Sequence, residues 1–154
     1  MRRVTRDEWR IDACPHNGGS IAVDHKGQLH LTWFTDGAVN KGLFYKQING
    51  DQESIPMRLG NLDAQPNHAA VVAHRATILL TWREFDGNLY STQMMFSNDS
   101  GNTWQGSLDL MQSAGASDYP IPLINHNKAL VVWHTENEGL RVLPIEAVIN
   151  RLDG

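Results

Sequence analysis

Three carboxylate side chains lie in positions where they could perform acid–base chemistry on one substrate. Each lies two or three residues after a tryptophan that ends a short apolar run; the three are Asp36, Glu84 and Glu136. Hydrolysis of a glycosidic bond needs two such carboxyl groups at a suitable separation. The same side chains also fit loop residues that pair with Arg83 or Lys41. The pattern therefore names candidates for catalysis and leaves both interpretations open.

A second group of polar and aromatic residues falls in the loops on the same side of the predicted strands. These candidates for ligand binding are His16, Asn17, Phe34, Asn67, His68, Arg83, Asp118, Tyr119 and His134. Imidazole, amide and aromatic groups together suit a hydroxyl-rich ligand such as a sugar, and simple solvation of loop side chains is the alternative. His16 and His68 could also act as general bases or metal ligands. They have no fixed spacing motif, and we expect neither a metal nor a cofactor.

An internal repeat shows which elements position these side chains. Residues 29–33, 78–82 and 129–133 are three versions of one apolar strand that ends in tryptophan, at spacings of 49 and 51 residues. A short alternating strand precedes each copy, and a proline precedes that strand. Repeated units of about 50 residues built from short strands are typical of β-propeller blades. A β-sandwich also has short strands, but it would not repeat the same residues three times.

The repeat predicts an all-β chain, a β-propeller of four-stranded antiparallel blades with no separate second domain. Residues 15–60 form the first predicted blade, residues 61–111 the second and residues 112–154 the third, whose outermost strand has no clear turn signal. Residues 1–14 precede the first blade as an outermost strand precedes each later blade. We therefore expect them to complete another blade.

One histidine recurs in the turn between the first and second strands of every predicted blade. His25, His74 and His126 occupy this position, and three imidazoles in a column resemble a metal cluster. Because each histidine belongs to a different blade, we expect them to lie too far apart for one ion. Their predicted role is local hydrogen bonding within the turns.

The turn at residues 97–104 has a more specific sequence, Ser-Asn-Asp-Ser-Gly-Asn-Thr-Trp. Its aspartate can accept hydrogen bonds from backbone N–H groups ahead of it, its glycine supplies a left-handed backbone, and its threonine adds a local bond. Its tryptophan can pack on the blade core. The chain here matches the Asp-box pattern and resembles the Asp-box (BNR-repeat) sialidase-like β-propellers. The matching residues are Ser97, Asp99, Gly101, Thr103 and Trp104.

The resemblance extends to Cys14-Pro15-His16, Gly18-Gly19 and Leu43-Phe44-Tyr45, which are similar to segments of uncharacterised bacterial sialidase-like proteins. Asp-box sialidases have six blades, which implies that three blades form half a ring. Three blades do not close a ring, and half a ring exposes two apolar blade faces. We therefore expect a homodimer in which residues 4–14 complete the third blade of the partner. The alternatives are a fragment of a longer chain and a strand that pairs within one chain.

The resemblance does not imply sialidase activity for this chain. The family clamps the sialic acid carboxylate with three arginines, because planar guanidinium groups bind carboxylates bidentately. Its Phe/Tyr-Arg-Ile-Pro motif is not found, and Arg83 is the only arginine well placed on the side where the candidate loops converge, here called the mouth. The prediction is a non-catalytic binding module for a glycan or another polar ligand in the mouth. A glycoside hydrolase with paired carboxylates and a pure interaction scaffold are the alternatives. The Asp box lies on the opposite side and is predicted to be structural.

Composition limits the remaining classes of function. The chain has 154 residues, of which 41% are hydrophobic and 19% charged, as in a globular domain with its own core. Its formal net charge of −4 argues against a nucleic acid as partner. Cys14 is the only cysteine, so no disulfide forms within the chain. No stretch reaches transmembrane length, and no apolar run follows Met1-Arg2-Arg3. We therefore expect a cytoplasmic protein without membrane contact, although relatives in the resembled superfamily are often secreted.

Overall fold

The computed structural model describes residues 3–11, 16–126 and 128–146, and it is an all-β structure of three antiparallel sheets. Sheet 1 contains β1 (Ser20–Val23), β2 (Leu29–Asp36), β3 (Lys41–Asn49), β4 (Gln52–Glu53) and β5 (Met57–Leu59). Sheet 2 contains β6 (Asn67–His74), β7 (Thr77–Phe85), β8 (Tyr90–Ser97) and β9 (Gln105–Ser113). Sheet 3 contains β10 (Ile121–Asn125), β11 (Lys128–Thr135) and β12 (Gly139–Pro144). The predicted all-β class is confirmed.

Consecutive strands are neighbours in sheets 2 and 3 and from β1 to β4 in sheet 1, because short polar turns connect them, whereas β5 pairs with β3. The β1–β2 turn is an example: the Asp24 carboxylate accepts hydrogen bonds from the backbone N–H groups of Lys26 at 2.8 Å and Gln28 at 3.0 Å. A side chain that binds the backbone ahead of it closes a turn without help from the rest of the fold. A short 3₁₀ turn, Leu62–Ala64, connects sheet 1 to sheet 2. No helix in the described ranges is long and apolar enough to cross a membrane.

The three sheets stack in sequence order, and the stacking follows from the alternation of side chains along each strand. Trp82 lies with Ile78 and Leu80 on one face of sheet 2, and this face packs on Leu43 and Leu59 of sheet 1 in a common core. We call the face that carries the repeated tryptophan the tryptophan face of each sheet. In sheet 2 it points toward the preceding sheet.

The opposite face of sheet 2 forms the second core. Leu79, Met94 and Phe96 lie on it and pack against Ala129 and Val131 of sheet 3. Val131 shares its face of β11 with Trp133, since these residues are two positions apart. The tryptophan face of sheet 3 therefore also points toward the preceding sheet, and the central sheet is buried on both sides.

Two apolar faces remain at the ends of this stack. On the tryptophan face of sheet 1, Ile21 and Val23 are 59% and 57% exposed. On the non-tryptophan face of sheet 3, the exposed apolar side chains are Ile121, Leu123, Leu140 and Val142. Among the described residues, no other sheet packs on either of these faces.

The N-terminal segment, residues 3–11, contains no strand and lies across the tryptophan face of sheet 1. Asp7 anchors it: its carboxylate accepts hydrogen bonds from Trp33 Nε1 at 3.0 Å and Asn40 Nδ2 at 2.9 Å. Gly37 packs so closely on the Asp7 backbone that a side chain there would collide with it. Residues 12–14 of the predicted N-terminal strand lie outside the described residues. The contacts seen here are with the segment's own sheet 1.

Candidate functional site

The loops that lead into the three sheets meet at His68. Its backbone has a φ of 54° and lies at an irregularity in the β6–β7 register, which turns the side chain out of the regular strand pattern. Its N–H donates to Asn17 Oδ1 at 3.0 Å, its Nε2 is 3.0 Å from the His16 carbonyl oxygen, and its ring stacks on Tyr119 at 5.1 Å. The structure thus brings together candidates from the loops before sheets 1 and 3 and from the start of β6 in sheet 2.

Arg83 holds the same loops from the side of sheet 2. Its Nε donates to Asn67 Oδ1 at 3.0 Å, and its Nη1 donates to the carbonyl oxygens of Ser117 and, at 3.4 Å, Asp118. The guanidinium also lies 5.1 Å from the centre of the Tyr90 ring, in cation–π geometry. Among the described residues, its hydrogen-bond partners are neutral oxygen atoms. Arg83 therefore joins sheet 2 to the loop before sheet 3.

The protonation of His68 is set by opposing influences. Its Nδ1 lies 2.7 Å from Asn67 Oδ1 and its Nε2 faces the His16 carbonyl, so both ring nitrogens face acceptors. The Asn67 orientation is determined by its neighbours, since Nδ2 donates to the Gln65 carbonyl at 2.8 Å while Oδ1 accepts from Arg83. Burial, and then the charge of Arg83, lower the pKa of His68. The neutral ring has one N–H for two acceptors, so proton uptake would satisfy both.

A cleft of about 310 Å³ opens beside this cluster, between sheets 1 and 2. Phe34 provides an apolar wall, and the exposed Asp36–Lys41 ion pair, with a 2.8 Å separation, provides charge at the rim. Asn17 and Asn67 complete the polar lining. A cavity of this size with an aromatic face and a few polar groups suits a small polar ligand.

The candidate carboxylates each have a protein partner. Glu84 Oε1 accepts hydrogen bonds from Trp82 Nε1 and from the Asn61 backbone N–H, both at 2.9 Å. Glu136 Oε2 accepts from the Ala116 N–H at 3.2 Å, and Asp36 pairs with Lys41. Glu84 and Glu136 thus hold loop backbone in place.

His134 lies apart from the other candidates. It pairs with Leu140 in the β11–β12 register, on the non-tryptophan face of sheet 3, and its side chain is exposed. Among the described residues it makes none of the side-chain contacts that join His68, Arg83 and Tyr119.

The Asp box forms a closed set of local hydrogen bonds. The Asp99 carboxylate accepts from the Thr103 backbone N–H at 2.8 Å, the Thr103 hydroxyl at 2.6 Å and the Ser97 hydroxyl at 2.7 Å. The Ser97 oxygen in turn accepts from the Gly101 N–H at 2.8 Å. These bonds, that of the Thr103 hydroxyl first, lower the pKa of Asp99 to about 2. The turn is therefore held by an ionised carboxylate.

The same turn also docks on sheet 1, which sequence reasoning did not anticipate. The Gly101 carbonyl accepts a hydrogen bond from Gln47 Nε2, and the Trp104 ring packs edge-on against Tyr45 with centroids 4.9 Å apart. Gly101 has a φ of +81°, and a Cβ there would collide with the Tyr45 hydroxyl and the Gln47 amide. The Asp box thus fastens sheet 2 to sheet 1.

Beneath this contact lies a buried polar chain that the sequence analysis missed. His30 is 0% exposed, and its Nδ1 lies 2.6 Å from the Tyr45 hydroxyl, a hydrogen-bond distance. Its Nε2 lies 3.7 Å from the buried Asp24 carboxylate. Burial, the largest influence, lowers the pKa of His30 although Asp24 opposes this shift. The only signal in the sequence was a histidine at an alternating position of an otherwise apolar strand.

The recurring histidines are not all separated as expected. The rings of His74 and His126 meet edge-on with centroids 5.3 Å apart, so the expectation that histidines of neighbouring blades lie too far apart was wrong for this pair. In the part of the chain that the structure describes, no group of three or more potential metal ligands occurs.

No protein-family model and no curated protein matches this chain. The likeness to Asp-box propellers therefore depends on the turn residues and the threefold repeat of the chain itself.

Proposed function

We propose that this chain is a non-catalytic binding module, built as a three-blade half of a β-propeller, which binds a glycan or another hydroxyl-rich ligand at the mouth. The observation that carries the proposal is the meeting of three loops at His68, next to a cleft walled by Phe34. Amide groups at Asn17 and Asn67 offer donors and acceptors to hydroxyl groups. The aromatic ring offers an apolar face of matching size.

The propeller architecture is supported by the repeated packing of the sheets. Each later sheet turns its tryptophan face to the sheet before it, and the strands of sheets 2 and 3 follow chain order. Radial repetition of four-stranded sheets is the propeller arrangement. Three such units correspond to half of a six-bladed ring, which a second copy of the chain would complete.

The contacts of the acidic residues favour binding over hydrolysis. A general acid or nucleophile must be free to reach the glycosidic oxygen or the anomeric carbon. Glu84 instead accepts two structural hydrogen bonds, and Glu136 holds the backbone of Ala116. Arg83, the one arginine at the cluster described here, is occupied by carbonyl and amide oxygens.

A glycan array probed with the wild-type chain tests this function, with fluorogenic glycosides assayed in parallel. We expect binding to neutral glycans and no turnover. Phe34→Leu should weaken binding at least about tenfold, which corresponds to about 1.4 kcal/mol, because it removes the aromatic wall while keeping an apolar side chain. Asn102→Ala, an exposed change within the Asp-box turn and away from the cleft, is the control and should bind as wild type.

Two outcomes would contradict the proposal. If the chain binds no glycan on the array, glycans are excluded as its ligand. Turnover that Glu84→Gln or Glu136→Gln abolishes would establish a glycoside hydrolase in place of a binding module.

A further inference from the structure

Every internal junction between sheets in this chain joins the same two kinds of face. The non-tryptophan face of sheet 1 packs on the tryptophan face of sheet 2, and the non-tryptophan face of sheet 2 packs on the tryptophan face of sheet 3. Trp82 in the first junction and Val131 in the second are 0% exposed. Both junctions in the chain therefore pack a non-tryptophan face against a tryptophan face.

The two faces at the ends of the stack are of the two kinds that these junctions join. Sheet 1 exposes its tryptophan face, with Ile21 59% and Val23 57% exposed. Sheet 3 exposes its non-tryptophan face, with Leu140 67% and Val142 57% exposed. The faces lie at opposite ends of the stack, so the three sheets cannot bring them together without unfolding, whereas a second copy can.

The N-terminal segment lies where the outermost strand of a preceding sheet would be. In sheet 1, Leu59 of the outermost strand β5 packs in the same core as Trp82 of the following sheet. Asp7 takes the corresponding place over Trp33, with its carboxylate on the indole Nε1. Leu59 precedes its tryptophan by 23 residues and Asp7 by 26. Sheet 1 therefore carries a segment in the place of an outermost strand, and the segment pairs with no sheet among the described residues.

Sheet 3 lacks the matching element among the described residues. It has three strands there, and β12 pairs only with β11, whereas sheet 2 has four strands. An edge strand presents unpaired N–H and C=O groups that can accept another strand. One copy thus offers a three-stranded sheet, and another offers an outermost segment without a sheet.

We infer that two copies of this chain join head to tail at two equivalent contacts, an inference that rests on the proposed half-propeller. At each contact, the non-tryptophan face of sheet 3 in one copy packs on the tryptophan face of sheet 1 in the other. Residues 3–11 of the second copy lie beside β12 of the first as its fourth strand. A head-to-tail contact that closes after two copies gives a ring, and its mouth is lined by the His68 clusters of both chains.

Light-scattering mass in solution at micromolar concentration, with one substitution on each face, tests the inference. Wild type should have twice the 17.3 kDa mass of one chain. Val142→Asp on sheet 3 and Ile21→Asp on sheet 1 should each give the mass of a single folded chain, since a buried unpaired charge opposes the contact. Ile55→Asp, at a position 89% exposed between β4 and β5, should stay dimeric.

Mixing the two face variants separates head-to-tail contact from other geometries. Each variant keeps one intact face, so a one-to-one mixture should recover a two-chain species through a single contact. A dimer that survives Ile21→Asp would indicate contact between two copies of sheet 3 and would overturn the inference. Assemblies larger than two chains would contradict a ring that closes after two copies.

Hydrogen exchange tests the strand pairing separately. The β12 amides that point away from β11 should exchange more slowly in wild type than in monomeric Val142→Asp, because the dimer gives them a second neighbouring strand. Equal protection in both would mean that β12 is covered within one chain. Glycan binding is measured in parallel. If the wild-type protein binds glycans but has the mass of one chain, the association is overturned and the proposed ligand function is retained. If it is a dimer that binds no glycan, the association is supported and the glycan-binding function is overturned.

Discussion

Replacement of Asp99 by alanine is the sharpest test of the Asp-box geometry. The substitution removes a carboxylate that accepts three hydrogen bonds, two from Thr103 and one from Ser97. The Thr103 N–H and both hydroxyls then need water as a partner, and the turn loses its closure. Because the turn also carries Trp104 onto Tyr45, the effect should extend to the junction between sheets 1 and 2.

The expected loss follows from the contacts. Removing a side chain that caps backbone N–H groups costs about 1–2 kcal/mol of unfolding free energy. For a chain of this size, each kcal/mol lowers the melting temperature by about 2–4 °C, which gives a decrease of about 2–8 °C in total. Hydrogen bonds, led by that of the Thr103 hydroxyl, lower the pKa of Asp99 in the folded chain to about 2. Its contribution is therefore fully present above the unfolded pKa near 4 and is lost as the pH falls toward 2.

Urea unfolding at pH 7 and at pH 3 measures both parts of this prediction. Protein concentration is held constant, because self-association contributes to apparent stability. The control is Asp63→Ala, which makes the same charge change at an exposed residue that has no carboxylate hydrogen bond among those of the described chain. We expect Asp99→Ala to destabilise the chain more than the control at pH 7, with a smaller difference at pH 3. Equal midpoints for the two variants, or a loss that does not shrink on acidification, would refute the reasoning.

Three further effects follow from buried or bridging polar groups. Tyr45→Phe should lower stability by about 1–3 kcal/mol in urea unfolding, because it leaves the buried His30 Nδ1 without its partner; unchanged stability would contradict the assigned hydrogen bond. Acidification from pH 7 to pH 5 should lower the unfolding free energy, because burial lowers the pKa of both His30 and His68 in the folded chain. The unfolded chain therefore takes up protons first, below about pH 6.5. An unfolding free energy that rises over this pH range would contradict the prediction. Arg83→Lys should lower the melting temperature, because a point-charge ammonium cannot bond to Asn67 and to the loop before sheet 3 together; an unchanged melting temperature with lost glycan binding would indicate direct ligand contact instead.

The strands could be predicted because their signals are local. Alternation of apolar residues and the threefold recurrence of tryptophan both act over a few residues, and β2, β7 and β11 lie where residues 29–33, 78–82 and 129–133 placed them. The Asp-box bonds were likewise expected from the order of residues within one turn. Side chains that bind the backbone two to four positions away need no knowledge of the rest of the fold.

The contacts between sheets could not be predicted, because they join residues distant in sequence. Gln47 and Gly101 are 54 positions apart, and nothing in either segment identifies the other as its partner. The left-handed backbone of His68 was missed because histidine carries no signal for that conformation comparable to glycine's. The anchoring of Asp7 on Trp33 likewise depends on where the first sheet turns its tryptophan face.

Polar contacts fasten the junction between sheets 1 and 2 at both ends and the junction between sheets 2 and 3 at the mouth. Between sheets 1 and 2, the Asn17 side chain binds the His68 backbone at the mouth, and Gln47 binds the Asp box at the other end. Between sheets 2 and 3, Arg83 bonds to the Ser117 carbonyl at the mouth. Groups that would serve hydrolysis in an enzyme, a guanidinium and two carboxylates, thus hold the loops in position. Charged groups that fix the shape of the mouth are engaged in structural bonds, which supports the proposed binding function over catalysis.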